Sequence, residues 1–408
     1  MGCLVMGKVA RLEVEVLAAA RTPVGRRGGA LSGIRVDDLA AMVIEELIGR
    51  AGVSPGEADE VVAGTVNASG EAMGNLARNA ARLAGLPVTV PGFTVNRYCA
   101  SGLTAVAAGA QMIAAGAADI VIVIGAESMS RSTWPVPKPD RPFAAGQLVA
   151  RDAMFSGGGG PQHPALEAGG DLIEMPHTAQ NLAGRLSISR EEMDGWAARS
   201  HRLAATAEDE GRFDRELLPV LAEGTEVRRD QTIRRDTSPE KLAGLPAYDP
   251  EAPDITAGNS SPVNDGASGL LLASPEAGSG GGHRPLARLT GVASAGVDPA
   301  MMGLGAVAAA RRLPVEPTAA DLVEINEAFA SVALATISEL ELDPAAVNVN
   351  GGAIALGHAL GNSGTRLLTT LIHELGRRGG GQGLATLCVG GGQGVAASLE
   401  VEPRSEAA

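Results

Sequence analysis

Aromatic side chains, cysteines and long apolar runs are all scarce in this 408-residue sequence. Aromatic residues make up 2% of the chain and hydrophobic residues 45%, so the core must be built mainly from small and aliphatic side chains. Three cysteines (Cys3, Cys99 and Cys388) are too few for a disulfide framework in a chain of this size, and we expect a reducing compartment. The longest apolar run, residues 120–124, predicts a buried strand, because a membrane helix needs ~18 apolar residues.

Basic residues are outnumbered by acidic ones, 33 to 47, which leaves a net charge of −14. That balance argues against nucleic acid or an anionic membrane as the main partner, and an anionic ligand would need a local basic site. The sequence also lacks a Walker loop, a dinucleotide-binding fingerprint after a first strand and a metal-ligand cluster. We therefore expect no metal and no bound redox cofactor. The N-terminus has no signal-peptide pattern, and we expect a cytoplasmic protein.

The first 128 residues have an alternating α/β pattern. Residues 8–20 alternate as an amphipathic strand, and Asp37 is placed to cap a helix over about 38–52. Further strands and helices follow, up to the strand at 119–124. Residues 129–258 differ, because prolines and charges cluster there, and the segment is interpreted as an insertion. Within it, the glycine run 156–161 predicts a surface loop, and a capping box at Ser189 predicts a helix over about 190–210.

The early pattern returns near the C-terminus, which indicates an internal duplication. Pro55 and Asp59 precede one strand, and Pro317 and Asp321 precede another with the same spacing. Cys99 lies 40 residues after Asp59, and His358 lies 37 residues after Asp321, each ahead of a helix and a strand. Chance similarity of two βα units is the alternative. If the repeat is real, its pseudo-twofold axis brings the cysteine and the histidine to one shared face.

Cys99 is placed at a strand-to-helix turn. The free N–H groups and the dipole at a helix N-terminus favour a thiolate and can also hold a developing oxyanion. The small residues that follow, at 100–102, leave room for a substrate beside the sulfur. A buried structural thiol is the other interpretation of this cysteine taken alone.

The C-terminal part supplies three polar residues framed by glycines or following a strand. Asn326 follows a predicted strand, His358 lies in a glycine-rich loop that opens a helix, and Cys388 is followed by a run of glycines. A histidine in such a loop is a candidate base for a thiol. An amide side chain can position a water or an oxyanion, and a second thiol can donate or accept a proton.

Together these segments resemble the thiolase family, acyl-CoA acyltransferases that make or cleave 3-oxoacyl-CoA. The matching segments occur in the family's order over residues 8–401: RTPVG at 21–25, VNRYCASGL at 95–103, AGNSS at 257–261, NDG at 264–266, NEAFA at 326–330, GGAIALGHALGNSG at 351–364 and CVGGGQG at 388–394. The resemblance implies two similar α/β halves in a five-layer αβαβα sandwich with an inserted loop domain. Residues 1–128 would form the first half, completed by about 259–276, with 129–258 as the insertion and 283–404 as the second half. It also implies a homodimer or homotetramer.

The resemblance also implies roles for individual residues. Cys99 would accept the acyl group, His358 would activate it, and Asn326 would fix an oxyanion-hole water. Cys388 would act as the acid/base on the acetyl-CoA carbon, and the N–H groups of Cys99 and Gly390 would form a second oxyanion hole. Such donors can each contribute ~3–4 kcal/mol to an enolate-like transition state.

Further residues are implied as contacts of CoA or acyl-CoA, which would be substrates and not bound cofactors. Arg234 matches a contact to the nucleotide end of CoA, and Ser261 matches a serine facing the pantetheine arm. Substrate contact is also implied for Met175, Ala328 and Phe329. The neighbouring arginines (Arg228, Arg229 and Arg235) could equally form a solvated charge run.

Some positions depart from the family pattern. Ala359 stands where proline is usual, and Asn362 stands where a small residue is common, so the rigidity of the histidine loop and the pocket shape are open. The Met-Pro-x-Thr-Ala segment starting at Met175 matches the family's loop over the acyl pocket and is similar to thiolases of aromatic-compound degradation. In it, His177 would either touch a polar acyl tail or be an exposed loop histidine. A decarboxylating ketosynthase, which needs no second thiol, and an inactive thiolase-like scaffold are the alternative functions.

Overall fold

The computed structural model describes residues 7–136, 138, 146, 149–154 and 163–403, and they form an α/β fold around one large sheet. The elements before the insertion are β1 (Val14–Arg21), β2 (Gly25–Arg26), α1 (Val36–Ala51), β3 (Glu60–Gly64), α2 (Leu76–Leu83), β4 (Gly92–Val95), α3 (Ser101–Ala114) and β5 (Ile120–Ser128). Those of the inserted segment are α4 (Pro164–Ala168), α5 (Met175–Leu186), α6 (Arg190–Asp209), β6 (Val220–Ala222), β7 (Thr225–Val227), α7 (Pro239–Ala243), β8 (Ala247–Asp249) and β9 (Ala252–Thr256).

The chain then returns to the large sheet. The remaining elements are β10 (Asn264–Ala273), β11 (Ala287–Gly296), α8 (Leu304–Ala310), β12 (Leu322–Ile325), α9 (Ala330–Glu339), α10 (Ala353–Leu356), α11 (Leu360–Arg377), β13 (Gly381–Val389) and β14 (Gln393–Val401). No helix of the described part of the chain has both the length and the apolar character needed to cross a membrane.

The strand order shows the duplication directly. It runs β12-β13-β14-β11-β1-β10-β5-β3-β4, with β2 paired to β10. Outward from the centre, β1-β10-β5-β3 is matched by β11-β14-β13-β12, and in each half the last two strands are parallel and the others antiparallel. A short pairing of residues 14–16 with 287–289 joins the halves. The duplication predicted from the sequence is confirmed.

Helices cover the strands in layers, which produces the expected five-layer α/β/α/β/α arrangement. The central layer consists of α3 and α11, whose apolar residues form one core with side chains from both sets of strands. On one outer side α1 and α2 pack against the first half, and on the other side α8 and α9 pack against the second. The central layer matters for function because Cys99 immediately precedes α3 and His358 immediately precedes α11.

Two local predictions need correction. The first strand covers Val14–Arg21, and all eight residues are buried, although their sequence predicts an amphipathic strand. Its two faces are covered by different layers, since Val16 packs in the core formed with α3 and α11 and Leu17 packs in the core formed with α1. Glu15 is accommodated because its oxygens accept hydrogen bonds from the N–H and hydroxyl of Ser279. The first helix begins at Val36 with Arg35 as the N-cap residue, and Asp37 is paired with the Arg35 guanidinium and does not cap the helix.

The inserted segment is attached to the first half through a buried ion cluster. The Arg21 guanidinium at the end of β1 donates hydrogen bonds to Glu216 at 2.5 Å and to Asp230 at 2.7 and 3.0 Å, and all three side chains are buried. The helix predicted from the capping box is confirmed as α6, and Ser189 and Glu192 form that box. The loop predicted for residues 156–161 lies outside the described residues. The arginine of the RTPVG motif is thus an anchor for the segment that carries Arg234.

Candidate active site

The four side chains proposed for chemistry lie at corresponding ends of secondary structure. Cys99 is two residues before α3, and His358 is two residues before α11. Asn326 directly follows β12, and Cys388 is the next-to-last residue of β13. Since β12 and β13 are parallel, their carboxyl ends meet at one edge of the sheet, where the two halves face each other. The fold therefore brings together residues that are up to 289 positions apart, from Cys99 to Cys388.

Cys99 is surrounded by groups from both halves. The backbone N–H groups of Gly390 and of Cys99 itself lie close enough to the Cys99 sulfur to lower the pKa of its thiol. The Cys388 thiol is close enough for the charge of Cys99 to raise its pKa, although burial is the main cause of that rise. Two amides and a second thiol thus converge on one sulfur. These are the same two amides that the family resemblance assigns to the second oxyanion hole.

The electrostatics of Cys99 correct one prediction. Its place near a helix N-terminus favours a thiolate, but burial outweighs the amide hydrogen bonds and raises the pKa of Cys99 to about 11. The negative charge of Glu127 adds to the rise. In the free protein Cys99 is therefore a neutral thiol, and a role as nucleophile would require a nearby base to take its proton.

We expect the alkylation of Cys99 by iodoacetamide to rise about 10-fold per pH unit between pH 7 and 10, without a plateau. The reason is that only the thiolate reacts, and its fraction keeps growing below a pKa of about 11. Mass spectrometry of the Cys99 peptide measures the rate, and Cys99→Ala identifies any signal from other cysteines. A plateau below pH 8 would contradict the raised pKa of this half-buried thiol.

His358 is held in a form that can accept this proton. Burial and, to a smaller extent, the charge of the Arg366 guanidinium lower its pKa to about 3, so the ring is neutral at pH 7. Its Nδ1 lies 2.6 Å from the Ser363 hydroxyl, which can donate to the Ala359 carbonyl at 3.3 Å. In that arrangement Nδ1–H donates to Ser363, and the lone pair of Nε2 faces the Asn326 Nδ2 at 3.5 Å and can accept a proton. Ser363 was not identified from the sequence, although its position five residues after the histidine could have indicated it.

The structure around Gly357, the residue before the histidine, explains why the motif has a glycine there. Gly357 has φ +104°, and a Cβ there would lie 2.6 Å from the Asn264 side chain. The same Asn264 carboxamide oxygen accepts a hydrogen bond from the His358 N–H at 2.9 Å. Only glycine allows the backbone to approach this asparagine so closely. Asn264 belongs to the NDG segment, so a motif from the first half fixes the backbone of the histidine.

Asn326 is positioned beside the histidine ring. Its Nδ2 is 3.5 Å from His358 Nε2, and its Oδ1 is buried without a hydrogen-bond partner among the described residues. A buried carboxamide with a free oxygen can bind a small polar molecule such as water. The geometry is compatible with the water-holding role that the family resemblance implies.

The two departures from the family pattern do not disturb the loop. Ala359 has φ −75°, close to the angle that proline imposes, so the backbone takes the same course without the ring. Asn362 is buried and accepts a hydrogen bond from the Ser268 hydroxyl of β10. It therefore adds a contact between the halves, and its side chain is buried there and not exposed in the pocket.

Met175 and His177 lie on a helix, which corrects the predicted loop. Helix α5 begins at Met175, and the Met175 sulfur would be 3.6 Å from a Cβ placed on Gly390. This puts Met175 next to the amide that contacts Cys99. His177 is half-buried, and its Nε2 lies 3.5 Å from an Asp249 oxygen of β8, so the histidine is neither a loop residue nor fully exposed.

A cavity of about 260 Å³ opens on the inserted segment and carries positive charge. Arg234 lines it, together with Arg26 from the first half, and within the described chain neither arginine has a carboxylate within 4.0 Å. Buried His201 lies beneath, and burial followed by the charge of Arg234 lowers its pKa to about 4. The Ser260 hydroxyl also lines the cavity and is buried without a described partner. Arg26 and Ser260 were missed, because only the fold brings them to Arg234.

The other predicted contacts lie next to Ser260, which lines this cavity. Ser261 does not line the cavity, and its N–H and hydroxyl both donate to the Ala328 carbonyl, at 3.0 and 3.1 Å. Phe329 is buried and pairs with Ser260 through an isolated β-bridge. These contacts join the segment at 259–261 to the residues that follow Asn326.

The neighbouring arginines are engaged in ion pairs. Arg228 pairs with Glu226, Arg229 is 3.8 Å from Glu208, and Arg235 pairs with Glu208 and Asp209. In contrast to Arg234, these side chains behave as a charged, solvated surface.

Comparisons with known proteins agree with this geometry. Residues 14–276 match the family model described as thiolase, N-terminal domain, and residues 283–401 match the thiolase, C-terminal domain. A beta-ketoadipyl-CoA thiolase of Pseudomonas aeruginosa is 45% identical over 399 residues, covering 95% of this chain and 99% of that protein. An acetyl-CoA acetyltransferase of Chromobacterium violaceum is 43% identical over 401 residues, covering 95% and 100%. The structure of human mitochondrial 3-ketoacyl-CoA thiolase in complex with CoA superimposes with a TM-score of 0.90 at 35% identity, covering 97% and 100%.

Proposed function

Because the chain belongs to the thiolase family, and is therefore an acyl-CoA C-acyltransferase, we propose that its reaction proceeds through an acyl group carried on Cys99. The reaction is the thiolytic cleavage of a 3-oxoacyl-CoA to acyl-CoA and acetyl-CoA, or the reverse Claisen condensation. The observation that carries the proposal is the convergence of the Gly390 amide and the Cys388 thiol on the Cys99 sulfur. The family matches do not favour a decarboxylating ketosynthase or an inactive scaffold.

The proposed first half-reaction breaks the carbon–carbon bond. The Cys99 sulfur attacks the 3-oxo carbon of the substrate while its proton passes to Nε2 of His358, which burial keeps neutral. The oxygen of the tetrahedral intermediate takes its negative charge near the N–H groups that face the sulfur. Collapse of this intermediate forms the thioester on Cys99 and expels the enolate of acetyl-CoA. Cys388 gives its thiol proton to the enolate carbon, which yields acetyl-CoA.

The second half-reaction returns the enzyme to its starting state. Free CoA binds in place of acetyl-CoA, and its thiol attacks the acyl-Cys99 thioester. The proton of the CoA thiol passes to the Cys388 thiolate, the bond between the acyl group and Cys99 breaks, and the Cys99 sulfur takes back the proton held by His358 as acyl-CoA leaves. Since both products are released through one site in turn, the kinetics are ping-pong. In the condensing direction the same steps run backwards.

We propose 3-oxoadipyl-CoA as the preferred substrate, in a degradative pathway. The support is the name of the Pseudomonas aeruginosa relative and the Met-Pro-x-Thr-Ala form of the segment at Met175. The acetyltransferase of Chromobacterium violaceum is nearly as similar, so acetoacetyl-CoA is the competing substrate. The test follows the loss of enolate absorbance when free CoA is added to each substrate. A larger kcat/KM for 3-oxoadipyl-CoA supports the preference, and a larger value for acetoacetyl-CoA contradicts it.

Arg234→Ala is expected to raise KM for CoA about 10-fold and to leave kcat within about 2-fold of the parent. The Arg234 guanidinium faces the basic cavity without an ion-pair partner among the described residues, so its loss removes a contact to phosphate. Arg228→Ala is the matched control, because Arg228 pairs with Glu226 at 2.8 Å outside the cavity. Initial rates over a series of CoA concentrations measure both variants. Equal KM values for the two variants would contradict the assignment of the cavity to CoA.

We also propose that the enzyme is a cytoplasmic homodimer or homotetramer. The support for assembly is β4, an edge strand whose Phe93 is 37% exposed and which leads to Tyr98 at 53% exposure, directly before Cys99. An edge strand with exposed aromatic side chains is a ready surface for a second copy. Light scattering coupled to size exclusion distinguishes two from four copies, and a monomer at micromolar concentration would contradict the proposal. Fractionation of the source cell tests the compartment.

A further inference from the structure

Glu127 is a buried carboxylate beside the active site that the proposed chemistry does not use. It is the next-to-last residue of β5 and is 1% exposed. Its oxygens accept hydrogen bonds from the backbone N–H groups of Val66 at 2.9 Å, Asn67 at 3.0 Å and Gly361 at 3.0 Å. Within the described residues it makes no ion pair with a basic side chain. Its burial is compensated by these backbone amides and by a weaker contact with the Thr65 hydroxyl at 3.4 Å.

These hydrogen bonds connect the two halves at the start of α11. Val66 and Asn67 belong to the loop after β3, in the first half. Gly361 is the second residue of α11 in the second half, three positions after His358. Its N–H is among those without a partner inside the helix, and a carboxylate is favoured at that end by the helix dipole. One side chain therefore ties the loop that carries the histidine to the half that carries Cys99.

Close backbone contacts make this tie stiff. A Cβ on Gly102, the second residue of α3, would lie 2.5 Å from the Gly361 carbonyl oxygen. A Cβ on Gly361 would lie 2.8 Å from the carbonyl oxygen of Gly64. The first turns of α3 and α11 are thus in direct contact, just beyond Cys99 and His358. A shift of Gly361 would change the distance between these two residues.

The internal duplication gives Glu127 a counterpart. Strands β5 and β13 both have nine residues, and Glu127 and Cys388 are the eighth in each. The pairings agree, because the last residue of β3 lies opposite the residue two before Glu127, and the last residue of β12 lies opposite the residue two before Cys388. The first half therefore places a carboxylate where the second half places a catalytic thiol. Both residues lie close to the site. Cys388 faces the Cys99 thiol, whereas Glu127 faces backbone amides.

We propose that Glu127 is a positioning residue of the reaction, whose three amide hydrogen bonds hold His358 in place against Cys99. This inference rests on the proposed roles of those two residues. Burial raises the pKa of Glu127 and its amide donors lower it, and in its charged form Glu127 also raises the pKa of the Cys99 thiol. Removing the charge of Glu127 therefore has two opposite effects. The pKa of Cys99 falls, so that more of it is thiolate, and His358, its base, is held less well in place.

The test compares Glu127→Gln with Glu127→Asp, using Thr65→Val as the matched control. Glutamine has one acceptor oxygen and an NH₂ group that opposes the backbone donors, so kcat is expected to fall about 10- to 100-fold with KM for CoA within about 3-fold. Alkylation of Cys99 by iodoacetamide at pH 8 is expected to rise several-fold in the same variant. Aspartate keeps the charge, so kcat falls less and alkylation stays near the parental rate. Thr65→Val removes only the weak hydroxyl contact and is expected to keep kcat within about 2-fold.

The outcomes separate positioning from a general effect on folding. A kcat of Glu127→Gln within 3-fold of the parent overturns the proposal, and so does a loss that matches the loss of folded protein by circular dichroism. If the glutamine variant does not fold, Glu127→Asp decides: a reduced kcat at unchanged KM supports positioning, and a parental kcat overturns it. Cys99→Ala is measured in parallel. If that variant is active, the proposed function fails; if it is inactive while Glu127→Gln is fully active, only this inference fails.

Discussion

Replacing Cys99 with alanine is expected to lower the thiolysis of 3-oxoacyl-CoA at least about 10⁴-fold. The alanine methyl group cannot form the thioester, and no other nucleophile takes its place, because the neighbouring Cys388 is more deeply buried and its pKa is raised further. The measurement has two parts: loss of enolate absorbance of acetoacetyl-CoA or 3-oxoadipyl-CoA with free CoA, and intact mass after incubation with acyl-CoA. Both turnover and acylation should disappear together.

A cysteine outside the segments that resemble the family supplies the matched control for this variant. Cys3→Ala removes a thiol that belongs to none of the segments that resemble the family, and it is expected to leave turnover and acylation at the parental level. Retention of more than a few per cent of activity in Cys99→Ala would show that acyl transfer does not use this residue. Loss of activity in the control as well would point to a general effect of cysteine replacement.

Cys388→Ala is expected to slow cleavage of the carbon–carbon bond much more than transfer of an acyl group to Cys99. The C–C step should slow about 10³-fold, in the range for loss of a general acid or base, because the departing enolate no longer has a proton donor beside it. Acylation of Cys99 by acetyl-CoA needs no proton on carbon, and it should stay within about 10-fold of the parent. Exchange of labelled CoA into acetyl-CoA measures acyl transfer alone, and enolate absorbance measures cleavage.

The position of Cys388 makes this variant informative. Its side chain is 1% exposed and its pKa is raised by burial, so it is a proton donor in its resting state. Alanine removes the sulfur and leaves a small void, so the melting temperature is recorded to confirm that the variant is folded. If exchange and cleavage fall by the same factor, Cys388 supports acyl transfer generally, and its assignment to the enolate carbon is wrong.

Much of the candidate site could be predicted from the sequence because the chemical groups lie in short, glycine-rich segments. Cys99, Asn326, His358 and Cys388 each follow or precede a regular element, and the repeat of those elements indicated that the halves share a face. The desolvation of the half-buried Cys99 thiol was not predictable, and the expected thiolate is a neutral thiol as a result. A helix N-terminus is a local property of the sequence, but desolvation depends on what the rest of the chain places around the sulfur.

Four residues in or near the candidate site were not identified from the sequence. Arg26 reaches the basic cavity from the first half, Ser260 has a buried free hydroxyl, Ser363 supports the histidine, and Glu127 binds amides from two distant segments. For Arg26, Ser260 and Glu127 the importance comes from groups that are far away along the chain, which composition and periodicity do not identify. Ser363 differs, because it supports a histidine only five residues before it.

The sequence by itself determined the family, the alternation of strands and helices, the duplication and the set of reactive groups, because these depend on side-chain identity and on short-range order. Tertiary structure alone decided the protonation of Cys99 and His358, the free face of Arg234 and the tie from Glu127 to Gly361. Protonation and ion pairing depend on the solvent and the charges within a few ångströms of a group. In this protein, those surroundings are supplied by both halves and by the inserted segment, and they exist only once the chain has folded.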